Sequence, residues 1–159
     1  MTLLLFYLFL AIGVSFLCSI LEAVLLSITP AHIAVLNERE VKTGRHLKRL
    51  KRDIDRPLSA ILSLNTIAHT FGAAGVGAQA LVVFGNAWVT VTSALVTLAI
   101  LIFSEIIPKT IGATYWKQLT GFTTYTCRVL IVLMWPLVAL SKFITRLLAR
   151  GVRAPSVSR

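Results

Sequence analysis

Three stretches of this chain, Leu3 to Ile28, Pro57 to Phe84 and Trp88 to Ile107, each run for about twenty residues or more with very few charges. A helix rises 1.5 Å per residue, so about twenty residues cross the roughly 30 Å of a bilayer's hydrocarbon. Inside that layer every backbone N–H and C=O must be satisfied within the segment itself, which leaves the α-helix as the form for isolated apolar runs of this length. The chain is therefore predicted to be an all-α integral membrane protein with three transmembrane helices. With 57% hydrophobic and 14% charged residues in 159, it lacks the polar surface of a soluble domain.

The formal charge of +10 is unevenly placed. Eight of the sixteen Lys and Arg residues lie between Arg39 and Arg56, and five of the other eight are Lys142 or follow it. That is how juxtamembrane anchors facing anionic lipid headgroups are distributed. No aromatic or Gly-rich recognition motif accompanies the charge, so membrane lipid rather than nucleic acid is the expected partner. The first apolar run has nothing basic before it and exceeds the roughly 7 to 15 residues of a signal peptide's core, so it reads as a retained span. Cys18 and Cys127 are isolated thiols in apolar context and read as packing residues.

Thr29-Pro30 reads as an N-cap followed by proline at the first helical position. Ile33, Leu36, Leu47, Leu50 and Ile54 then recur at roughly helical spacing among Arg and Lys, which predicts a juxtamembrane amphipathic helix divided at Gly44. Asp55 is the expected cap of the second span, and a Gly85-Asn86 turn closes spans two and three into an antiparallel hairpin. In the second span, Ala73 with Gly77 and Ala74 with Ala78 form small-xxx-small pairs that allow close helix approach.

The positive-inside bias puts the Arg39 to Arg56 segment in the cytoplasm, with the N-terminus and the Gly85-Asn86 turn outside and Lys109 with Lys117 inside. A cell inner (plasma) membrane, multi-pass location with a cytoplasmic C-terminus follows. The last apolar stretch, Leu119 to Leu148, conflicts with a fourth crossing, which would strand Lys142, Arg146, Arg150 and Arg153 outside and bury Arg128. A break at Trp135-Pro136 removes both difficulties by making this stretch a C-terminal interfacial helical hairpin that returns to the cytoplasmic side. Residues 1–150 then form one membrane domain, and 151–159 a basic tail expected to be disordered.

Within the spans the polar residues recur at one depth. Ser15, Ser19 and Glu22 are spaced to share a helical face in the inner half of the first span. Asn65 lies eight residues into the second, about 12 Å from its end. Glu105 sits near the inner end of the third, in Ser104-Glu105-Ile106-Ile107-Pro108-Lys109, ahead of a proline expected to break the helix. An acid at membrane depth costs several kcal/mol unless it faces protein or an ion path. Hydroxyls, an amide oxygen and few carboxylates suit Mg²⁺ or Na⁺ better than zinc or copper. Structural roles compete at each position. The serines can bond back to their own helix, Asn65 can join helices, Glu22 can pair with a loop arginine, and Glu105 can cap or pair with Lys109. His69, one turn beyond Asn65, can be a ligand, a proton relay or a packed polar residue.

Taken together, Ser104-Glu105-Ile106-Ile107-Pro108-Lys109-Thr110 resembles the Glu-x-x-Pro-Lys signature of the CNNM/CorC (DUF21) transmembrane domain. Ser15-Phe16-Leu17-Cys18-Ser19-Ile20-Leu21-Glu22 is similar to its serine-rich first helix ending in Glu, and Leu64-Asn65-Thr66 to its Asn-containing second helix. The resemblance covers about Leu3 to Leu148. It implies a homodimer that exports Mg²⁺, coupled to Na⁺ entry, with a dehydrated Mg²⁺ held by Ser15, Ser19, Asn65 and Glu105. Glu22, His69, Pro108 and Lys109 are secondary candidates, Pro108 because it frees carbonyls in the preceding turn. His69 departs from the small or amide residue that many relatives carry there. Full-length relatives continue into CBS domains that bind ATP; none is expected within this chain.

No nucleophile, base and orienting acid occur together at catalytic spacing, so no enzyme is expected. The alternative to a transporter is a membrane-anchored ion-sensing or scaffold protein that binds a partner through its basic juxtamembrane helix.

Overall fold

A computed structural model describes residues 1–85 and 88–151; the expected 151–159 tail lies outside the described residues apart from Gly151, as does the Asn86 half of the expected turn. The described chain is helical throughout and holds three helices long and apolar enough to cross a membrane: Thr2–Ser27, Asp55–Val83 and Val89–Thr114. In order the elements are α1 (Thr2–Ser27), α2 (Pro30–Arg39), α3 (Val41–Arg52), α4 (Asp55–Phe84) and α5 (Val89–Ala99), followed by a π-helical segment (Ile100–Ile106), α6 (Ile107–Thr114), α7 (Trp116–Leu133) and α8 (Trp135–Gly151).

Helix α1 is the hub of the bundle. On one side it lies antiparallel to α4. Where Gly72 faces Ala11 and Gly75 faces the Tyr7 ring, a Cβ on either glycine would come within 2.2 Å and 2.6 Å of those groups. The small residues of α4 thus divide between two faces. Gly72 and Gly75 admit α1 within the chain, whereas nothing lies within 4 Å of a Cβ at Gly77, and Ala73, Ala74 and Ala78 are exposed. On its other side α1 runs parallel to the third span, with Gly112 against Ala23 and the Ile20 carbonyl. Cys18 and Cys127 are free and fully buried, and pack with Leu21, Leu25, Ile61 and Leu130 in the main core cluster.

The Thr29-Pro30 start is as expected, with the Thr29 hydroxyl accepting from the His32 N–H at 3.4 Å and proline in the first turn. The amphipathic segment divides at Glu40, however, and not at Gly44. Gly44 lies one turn into α3, where a Cβ would come within 2.5 Å of the Asn37 backbone; its role is to let α2 and α3 fold tightly together. Leu47 packs with Val24 and Ile28 while Ile33, Leu36 and Trp116 close around them, so the juxtamembrane helices are fastened to the end of α1. Asp55 is inside the first turn of α4 and makes no capping bond, which leaves it the favourable field of the helix N-terminus.

Pro108 does not break the third span. The helix continues through it, because the preceding turns widen to π geometry, with the Ile107 N–H reaching five residues back to the Ile102 carbonyl. Proline's missing N–H then falls in the first turn of α6.

The final apolar stretch bends by 82° between α7 and α8, at the Trp135-Pro136 position. Arg128, on α7, sits 3.0 Å from His46 of α3, while Lys142, on α8, pairs with Asp53 beside the start of α4. Two cations fourteen residues apart therefore meet the same basic end of the molecule. A straight crossing would separate them by about 21 Å.

Candidate functional site

The contacts between α1 and α4 define a register. Tyr7 meets Gly75, Ala11 meets Gly72 and Ser15 meets His69, so each turn down α1 is matched by a turn back along α4. One further turn brings Ser19 level with Asn65. Ser15 and Ser19 are fully buried, and they face α4 because their four-residue spacing keeps them on one side of α1.

His69 joins the three spans. Its Nε2 lies 2.5 Å from the Ser15 hydroxyl, and its Nδ1 is 3.7 Å from a Glu105 carboxylate oxygen. Sequence reasoning left this residue among secondary candidates; its i, i+4 relation to Asn65 was the available signal. Its position beside Glu105 depends on how α4 and the third span pack, which no local pattern encodes. Glu105 leaves the π segment, whose wider turn sets its direction relative to an ordinary helix. Its neighbour Ser104 is fully buried and donates to the Ile100 carbonyl at 2.7 Å.

Beside this chain of contacts two buried oxygens, Ser19 Oγ and Asn65 Oδ1, have no hydrogen-bond partner among the described residues. Buried polar atoms are paired in the large majority of cases, and an unpaired one costs about 1–3 kcal/mol. The serine does not bond back to its helix, nor does the amide oxygen join α4 to a neighbour, so the structural roles open to them from sequence are not taken up. Ser15, His69 and Glu105 are thus brought together between three helices, with Ser19 and Asn65 one turn further along α1 and α4.

Glu22 and Lys109 belong to a neighbouring feature. They form an ion pair at 3.4 Å that ties α1 to α6, so Glu22 does not pair with a loop arginine and Lys109 does not pair with Glu105. Pro108, next to Lys109 in the chain, is fully buried. Among the described residues there is no cluster of three or more His, Cys, Asp or Glu side chains suited to a metal ion. The donor set at the three-helix site is instead dominated by hydroxyl, amide and carboxylate oxygen, the chemistry of hard cations.

The chain matches the cyclin M (CNNM) transmembrane N-terminal domain over residues 5–159. It belongs to that family. A UPF0053 protein of Synechocystis is 32% identical over 142 residues, covering 89% of this chain and 41% of the relative. The UPF0053 inner membrane protein YfjD of Escherichia coli is 30% identical over 109 residues, covering 69% of this chain and 26% of its own length. A chloroplastic DUF21 domain-containing protein of Arabidopsis thaliana is 26% identical over 125 residues, 79% of this chain and 19% of the relative. This CNNM chain thus spans about two fifths or less of the curated relatives it matches. Family membership and three apolar helices together identify a multi-pass membrane protein of the cyclin M type.

Proposed function

We propose that the chain carries Mg²⁺ across the membrane, binding the dehydrated ion between α1, α4 and the π segment through Ser15, Ser19, Asn65 and Glu105. The observation that carries this reading is the pair of orphaned oxygens, Ser19 Oγ and Asn65 Oδ1, one helical turn from the residues that meet Glu105 through His69. A hard cation would satisfy all of them at once. Pro108 lacks an N–H, so a carbonyl in the turn before it would be available as a further oxygen ligand, as in transporters that bind ions at irregular helix turns.

Export driven by Na⁺ entry is the reading taken from the family resemblance. The basic end of the molecule would face the cytoplasm under the positive-inside bias, with the N-terminus outside. A homodimer is the assembly we favour, because Glu105 keeps 32% of its side chain exposed in the single chain and the third span buries almost none of its surface. An acid so exposed at membrane depth calls for a covering surface. Rocking of the helices about the α1 hub would open the site to each side in turn.

Mg²⁺ flux into proteoliposomes, with and without a Na⁺ gradient, tests the proposal alongside calorimetric binding. Asn65→Ala and Glu105→Ala should each weaken Mg²⁺ binding at least about tenfold, the lower end of what loss of even an outer-shell partner costs a metal site. Unchanged binding in Glu105→Ala would remove this site. Absence of Mg²⁺ binding in the wild type would favour the scaffold reading.

A further inference from the structure

A second site lies at the basic end, away from the three-helix region. Between α3 and α7 a cavity of about 250 Å³ is walled by His46, Arg49, Arg56 and Arg128, with Leu50 and Ile131 also lining it. The one carboxylate on its rim, Asp53, is taken by Lys142. Among the described residues the ion pairs are His69–Glu105, Lys109–Glu22 and Lys142–Asp53, and none reaches Arg49, Arg56 or Arg128.

His46 stands among these cations. Its imidazole is held below the ordinary histidine range by burial and then by Arg128, Arg49 and Arg45. It therefore favours the neutral form, in which Nε2 accepts from the Arg128 guanidinium at 3.0 Å. That bond steadies the guanidinium and occupies one of its five N–H donors, leaving the others for a ligand. A planar guanidinium held in this way suits bidentate capture of a phosphate.

The cavity does not end at its charges. Arg128 and Val132 also line a shallow apolar groove on the exposed face of α7, completed by Tyr125, Val129 and Leu133. A soluble phosphate would use only the basic cavity. A phospholipid would use both, with its phosphate among the arginines and an acyl chain along the groove. Basic pockets at the membrane surface recognise anionic headgroups in this manner.

We propose that this cavity and groove form a discrete site for one anionic phospholipid, centred on Arg128 and distinct from the diffuse attraction of the basic segment to the bilayer. The inference does not depend on the ion-transport reading.

The test uses the full chain in detergent, titrated with phosphatidylglycerol or phosphatidylcholine while thermal stability and lipid retention by native mass spectrometry are followed. Phosphatidylglycerol should stabilise the wild type and remain bound, whereas phosphatidylcholine should not. Any one surface cation contributes about a fivefold effect. Arg128→Gln and Arg49→Gln should each exceed that, weakening phosphatidylglycerol at least about tenfold, with Arg128→Lys between wild type and Arg128→Gln. Lys117→Gln, which alters an exposed cation outside the cavity, should stay within the fivefold effect. Equal losses in Lys117→Gln and Arg128→Gln would overturn the site. Inorganic phosphate protecting as well as phosphatidylglycerol would overturn the lipid assignment, and Arg49→Gln decides if Arg128→Gln fails to fold.

Discussion

Gly72→Ala isolates the link between helix packing and the ion site. A Cβ at position 72 would stand 2.2 Å from the Ala11 Cβ, whereas carbon atoms pack at about 3.5–4.0 Å. Neither atom can rotate away, so α1 and α4 must separate locally by about 1.5 Å. Overpacking of this kind costs about 1–3 kcal/mol, and the rigid partner argues for the upper end. Helix propensity acts oppositely, favouring alanine over glycine by about 1 kcal/mol, so a net loss of about 1–2 kcal/mol is expected. For a chain of this length that corresponds to a fall in Tm of roughly 2–8 °C. Ser15 and His69 lie one turn or less from the wedge, so the separation should also weaken Mg²⁺ binding. The compensating change is specific: with Ala11→Gly added, the new Cβ faces the Ala11 Cα at 3.4 Å, close to ordinary contact. Thermal unfolding and calorimetry of the two single variants and the double variant measure this. A Tm at or above wild type in Gly72→Ala, or a double variant no better than the single, would refute the argument.

Asn65→Leu should raise thermal stability in Mg²⁺-free buffer by about 1 kcal/mol, since it removes an orphaned buried oxygen, and should abolish stabilisation by added Mg²⁺. His69→Ala removes the link between Ser15 and Glu105 and should weaken Mg²⁺ binding on the order of tenfold without abolishing it, as loss of an outer-shell partner does, read by calorimetry. Lys109→Met strands Glu22, 21% exposed, and should lower stability by about 1 kcal/mol; the exchange Glu22→Lys with Lys109→Glu should recover most of it. Thr29→Ala removes the α2 cap and should cost about 0.5–2 kcal/mol in unfolding.

Much of the candidate site was legible because polar residues in lipid are few and each needs a reason. Ser15, Ser19, Asn65 and Glu105 stood out by depth, and the register of α1 against α4 brings the first three to one region. Individual partners were less legible. Glu22 pairs with Lys109 and not with a loop arginine, and His69 is the central link, because those choices depend on which helix faces lie opposite each other. Glycine roles were also ambiguous from sequence. Gly44 reads as a helix breaker and acts as a close-packing point, since both roles follow from the same missing Cβ.

By itself the sequence determined the solvent: apolar runs of spanning length, with cations gathered between Arg39 and Arg56, leave membrane helices as the answer because lipid admits no unsatisfied backbone. It also placed the breaks at Thr29-Pro30 and Trp135-Pro136, where local chemistry suffices. Only the tertiary structure decided that Pro108 is carried through on a π segment, that Arg128 and Lys142 return to one basic end, and that His69 stands between Ser15 and Glu105. These features depend on contacts between residues remote in the chain, where the helices that can approach most closely fix the register for all the others.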